Sequence, residues 1–163
     1  MHTTDIRKLL KDPSLFKEEA FINGQWIKAS NSAHFPVNNP ATHETIAQVA
    51  NLASSDAEKA IAAANTAFPK WRDKTGKERA ILMRKWFDLI LQNKEDLAAL
   101  MTLEQGKPLA ESTGEVVYGA SFIEWFAEEA KRVSGTIPST IWGDKRFMVL
   151  KQAIGVCVAI TPW

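Results

Sequence analysis

The chain reads as an α/β protein in which a block of helices is framed by β structure at both ends. Three observations predict this. Asn23-Gly24 stands between two short alternating apolar runs, the signal of a tight hairpin. Ser55-Asp56-Ala57-Glu58 and Thr75-Gly76-Lys77-Glu78 are capping boxes that open amphipathic stretches. Residues 155–160, a glycine followed by Val156, Cys157, Val158, Ala159 and Ile160, have the unbroken apolarity of a strand covered on both faces.

Taken in order, residues 1–16 predict a frayed amphipathic N-terminal helix. Phe21 to Ile27 then form a hairpin turning at Asn23-Gly24, where both central residues need positive φ. Phe35-Pro36-Val37 meets a turn at Asn39-Pro40-Ala41-Thr42 and returns as a short strand over 45–49. Ala57, Ile61, Ala64 and Phe68 make one helical stripe, expected to end at Pro69. The second box opens a helix through Leu82, Trp86, Leu89 and Ile90. Asn93 restarts the chain as a third helix, through Leu97, Leu100 and Met101, which Gly106 closes. Pro108 suits the first turn of a fourth, running to about Val133 with Gly135 as its stop. Residues 147–152 and 155–160 are expected as strands, joined too closely for a helical crossover.

Composition narrows the function classes. Of 163 residues, 45% are hydrophobic and 24% charged, which is ordinary for a soluble globular chain. A net charge of +1 carries no nucleic-acid footprint, so no nucleic-acid partner is expected. No apolar run approaches the roughly 20 residues of a membrane span, and residues 1–16 lack the apolar core of a secretory signal. The single cysteine, Cys157, excludes an internal disulfide, favours a cytoplasmic setting and is expected as a small buried hydrophobe. His2, His34 and His43 have no metal-ligand spacing, so no metal is expected. Asp56, Glu58, Glu78 and Asp96 fall at helix starts, where capping explains them. No catalytic residue is assigned. Tyr118, Phe122, Trp125 and Phe126 recur at helical spacing. They fit an ordinary buried face, or for Tyr118 the wall of a route to a reactive centre, and spacing alone does not separate the two.

Longer blocks carry a resemblance. Thr102-Leu103-Glu104-Gln105-Gly106-Lys107-Pro108-Leu109-Ala110-Glu111, then Gly114-Glu115 and Phe122-Ile123-Glu124-Trp125-Phe126-Ala127-Glu128-Glu129, resemble the NAD(P)-dependent aldehyde dehydrogenase superfamily. Ile160-Thr161-Pro162-Trp163 is similar to the start of its Pro-Trp-Asn-Phe-Pro signature. Met83-Arg84-Lys85-Trp86-Phe87 and the block at Phe122 look most like the succinate-semialdehyde branch, with glutarate-semialdehyde enzymes sharing much of the pattern.

The resemblance implies an N-terminal part of the aldehyde dehydrogenase fold. Residues 1–134 would be the first part of a coenzyme-binding domain. Residues 135–153 would be an arm that docks on a neighbouring subunit, making a homo-oligomer. Residues 154–163 would be the first strand of a Rossmann-like sheet. It implies NAD or NADP as cofactor, with Ile160, Thr161, Pro162 and Trp163 passing along its nicotinamide half and Tyr118 lining the substrate tunnel. A small semialdehyde would be oxidised to the dicarboxylate. The family's nucleophilic cysteine, glutamate base and oxyanion-binding asparagine match no position here, and Cys157 aligns with none of them. The chain alone is therefore expected to be inactive and to bind cofactor weakly or not at all. One departure is Ala153, where the family usually has proline. A rival reading is a non-catalytic oligomerisation module of the same descent. An ending inside a strand-to-loop motif disfavours it, since a selected module should cap its sheet edge.

Overall fold

Residues 5–161 are described by a computed structural model. The N-terminal segment forms two short 3-10 turns, Ile6–Lys8 and Pro13–Leu15, in place of the expected helix. The reason is local. Asp5 and Asp12 each cap a turn through a side-chain oxygen, and Pro13 supplies no N–H for continuing a helix.

Two antiparallel hairpins follow. Strands β1 (Ala20–Ile22) and β2 (Gln25–Ile27) are joined by Asn23 at φ 52° and Gly24 at φ 79°, the expected tight turn. Phe21 faces Trp26 directly across it, ring centroids 5.2 Å apart. Strands β3 (His34–Asn38) and β4 (Thr45–Ala50) pair with a register shift at Val37/Asn38. Their connection is held by Asn39, whose side chain accepts from Ala41 N–H at 2.9 Å and whose carbonyl accepts from His43 at 2.8 Å.

Four helices complete the scaffold: α1 (Ser54–Arg72), α2 (Gly76–Gln92), α3 (Lys94–Gln105) and α4 (Leu109–Glu129). Helix α1 passes through Pro69 and ends at Arg72. The proline cannot donate, yet its carbonyl still accepts from Asp73 N–H at 3.0 Å, so the last turn closes. The cap also lies elsewhere than expected, at Ala53, with Asp56 accepting from the Ala53 N–H at 3.2 Å. At α2 the Thr75/Glu78 box forms as read, Glu78 accepting from Thr75 N–H at 2.8 Å. Gly106 closes α3 in the left-handed region at φ 81°. Helix α4 stops at Glu129, four residues short of Val133.

Helix α4 packs on both α2 and α3. Its buried face is Ser112, Val116, Ala120 and Ala127, and Ala80 of α2 and Ala98 of α3 are buried as well. Small side chains let the helices approach closely. Gly76 marks the limit, since a Cβ there would stand 2.3 Å from the Ala130 carbonyl. Ser112 is fully buried (0% exposed), and its hydroxyl accepts from Thr102 Oγ1 at 2.9 Å, joining α3 to α4. The second core lies under the N-terminal turns. Ile6, Leu10 and Phe16 cluster there with Ile46 and Ala47, backed by Leu100 and Leu103.

Two buried carboxylates tie distant segments together. Asp56 (1% exposed) accepts from the N–H and hydroxyl of Ser30 at 3.1 and 3.0 Å and is paired with Lys59. Asp96 (5% exposed) accepts from the N–H groups of Lys11 and Asp12 at 2.9 and 2.8 Å. Sequence reading assigned both to capping, because helix-start position is visible in sequence and a partner in another segment is not.

Beyond α4 the two expected strands are absent among the described residues. A single bridge, Thr136 to Val149, replaces a ladder over 147–152. Residues 155–160 belong to no strand and pair with no other described segment, and Val156, Cys157, Val158 and Ile160 are exposed. An apolar run is competent to form a strand, but the ladder requires a neighbour, and no described segment pairs with this one. The expectation of a buried Cys157 fails for the same reason.

Candidate functional site

The helix-packing pattern decides the fate of the aromatic stripe. Because Ser112, Val116, Ala120 and Ala127 take the inward face of α4, the opposite side carries Tyr118, Phe122, Trp125 and Phe126, all exposed. The expected buried aromatic face is thus corrected: these rings form a surface. Tyr118 is 65% exposed and meets Phe122 edge-on, ring centroids 4.9 Å apart at 87°. One turn on, Ser121, Phe122, Glu124, Trp125, Phe126 and Glu128 line an open groove of about 510 Å³. Its walls are apolar and its rim acidic. Glu124 is held by Arg84 of α2 at 2.6 Å, which pins the rim to the neighbouring helix.

The start of α4 is fixed by the motif that precedes it. Lys107 and Glu115 form an ion pair across the first turns, and Thr113 Oγ1 donates to the Leu109 carbonyl at 2.8 Å. Desolvation by the surrounding chain raises the Glu104 carboxyl above its ordinary value, although the side chain still reaches solvent.

Ile160 and Thr161 lie in the tail beyond the Thr136–Val149 bridge, outside any strand, with Ile160 at 95% exposure. Pro162 and Trp163 fall outside the described residues, as does His2. The groove next to Tyr118 is lined by α4 alone, and neither Tyr118 nor the tail residues belong to its lining. The exposed Cys157 Sγ donates to the Gly155 carbonyl 3.8 Å away, within its own segment. Among the described residues no group of three or more His, Cys, Asp or Glu is arranged to hold a metal. No described helix is long and apolar enough to cross a membrane.

The hairpins, the four-helix scaffold and the motif at the α3–α4 corner define a class. Residues 26–163 match the aldehyde dehydrogenase family, and the chain belongs to it. Among individual relatives it is 55% identical over 155 residues to the glutarate-semialdehyde dehydrogenase of Pseudomonas putida, covering 94% of this chain and 32% of that one. It is 53% identical over 155 residues, with the same coverage, to the NADP(+) succinate-semialdehyde dehydrogenase GabD of Escherichia coli. The succinate-semialdehyde dehydrogenase structure from Burkholderia pseudomallei superposes with a TM-score of 0.85 at 51% identity, covering 91% of this chain and 31% of that one. Over the matched region the chain therefore has part of the aldehyde dehydrogenase fold, and it spans about a third of these relatives' length.

Proposed function

We propose that this chain forms part of an NAD(P)-dependent aldehyde dehydrogenase that oxidises succinate semialdehyde, or a close ω-carboxylate semialdehyde, to the dicarboxylate. The observation that carries the reading is the near-equal identity, 55% and 53%, to a glutarate- and a succinate-semialdehyde dehydrogenase over the same 155 residues. Both substrates named there are short chains with an aldehyde at one end and a carboxylate at the other.

Within this reading residues 1–134 belong to the coenzyme-binding domain, 135–153 to an oligomerisation arm and 154–163 to the first strand of the nucleotide-binding sheet. Tyr118 lines the substrate route and Ile160, Thr161, Pro162 and Trp163 flank the cofactor. The support for Tyr118 is its exposure beside the aromatic groove of α4. For the arm it is the Thr136–Val149 bridge, with Ile137, Ile141, Met148 and Leu150 all open to contact.

The fit to a dinucleotide is partial. The exposed residues 156–160 leave room for the flank of a nicotinamide ring, and Gly155 at φ 115° has free space about its Cα. The sequence has no glycine-rich strand-to-helix turn to receive a pyrophosphate. When bound, NAD(P) supplies the hydride acceptor. This chain's contribution is to shape the approach: the Tyr118 and Phe122 rings offer an apolar wall to the methylene chain, and the arm brings subunits together.

The test is a chimera in which this chain replaces the corresponding third of the Escherichia coli relative. NADPH formation from succinate and glutarate semialdehyde should survive the exchange. A correctly assembled chimera that turns over neither substrate would overturn the reading.

A further inference from the structure

Residues 5–16 differ from the rest of the molecule in how they are held. Their two 3-10 turns close on themselves: Lys8 N–H reaches Asp5, Leu9 reaches Ile6, Leu15 reaches Asp12 and Phe16 reaches Pro13. Such turns satisfy their own groups and build no ladder to a neighbour. Between the turns, the N–H groups of Lys11 and Asp12 both donate to the one carboxylate of Asp96, 85 and 84 residues away on α3. Arg7 pairs with Glu18 at 3.2 Å and lies over the Phe16 ring at 4.7 Å, contacts internal to the N-terminal region. Glu18 is itself fixed to β4, accepting from Ala50 N–H through its carbonyl and from Gln48 N–H through its side chain. The segment is thus hinged at Glu18, latched at Asp96 and seated through Ile6, Leu10 and Phe16 on a floor of Ile46, Ala47, Leu100 and Leu103.

From this arrangement we infer that residues 5–16 are a strap that opens as a unit while the helices stay folded, with the Asp96 carboxylate as its latch. None of the α2–α4 and α3–α4 contacts runs through the strap, so its release leaves that interface in place. Opening uncovers the apolar floor on β4 and α3. The latch needs two acceptor oxygens on one side chain. An amide at position 96 keeps one and turns an NH2 against the second backbone donor, which leaves a charge-assisted pair broken.

Hydrogen–deuterium exchange on the 163-residue chain tests this. In the parent protein the amides of 6–16 should exchange faster than those of α2 and α4. In Asp96→Asn the strap amides should accelerate about ten- to a hundred-fold, with α2 and α4 unchanged. Leu10→Ala attacks the seat rather than the latch and should give the same pattern. Strap exchange unaltered by Asp96→Asn would overturn the inference. So would equal acceleration of strap and helices in either variant, or outright loss of the helices in Asp96→Asn, because Asp96 would then belong to the global fold.

Discussion

Asp56 gathers more donors than any other carboxylate described: the N–H and hydroxyl of Ser30, the N–H of Ala53 and the Lys59 ammonium. The Ser30 N–H, opposed by desolvation and helped by Lys59, the Ser30 hydroxyl and Ala53, lowers its pKa to about 2 from the ordinary 3.8. A depressed carboxylate contributes stability that is present in full above its unfolded value and is lost as pH falls through the folded one. Melting measured between pH 7 and pH 2 should therefore show an acid limb below about pH 4. Asp56→Asn should lower Tm at neutral pH and flatten that limb, and an unchanged slope in the variant would reject the assignment. Gly76 gives a second test. With the Ala130 carbonyl 2.3 Å from its missing Cβ, Gly76→Ala should destabilise by about 1–3 kcal/mol in denaturant titration.

At the level of elements, sequence reading succeeded wherever the cause of structure is local. Asn23-Gly24 needs only its own φ values, Thr75 and Glu78 need only each other, and Gly106 needs only the turn before it. It failed where the cause is a partner elsewhere. The stripe at Tyr118, Phe122 and Phe126 is as regular as any core face, but Ser112, Val116, Ala120 and Ala127 also recur on one side of the same helix and win the interface. An alternation of small residues in the same helix was the available signal. The candidate site was legible as a set of motifs and not as a surface, because exposure depends on which face the neighbours claim. The tail makes the element-scale prediction. Val156, Val158 and Ile160 stand exposed on an unpaired strand-competent segment, so the chain should self-associate at tens of micromolar, as such edges do. Val158→Lys places a charge in that segment and should shift light scattering towards monomer. Scattering from the parent chain that already fits a monomer would sink the prediction.

For the whole molecule, catalysis is the measure. The proposed reaction needs a thiolate nucleophile and a general base, and Cys157, the only cysteine, sits in the exposed tail with no activating contact seen. The purified 163-residue chain should form no NAD(P)H from succinate semialdehyde, and calorimetric titration with NAD or NADP should give no micromolar binding. Turnover that follows the pure chain and vanishes in Cys157→Ala would contradict both the assignment and this view of the cysteine. Helix α4 has a further consequence. Its buried scaffold side is written in serine, valine and alanine, and its exposed rings in tyrosine, phenylalanine and tryptophan lie on the other side. Mutations that reshape the aromatic side therefore leave the packed seam untouched. Rings along this one helix can be exchanged without disturbing the fold, while selection for folding watches the other side.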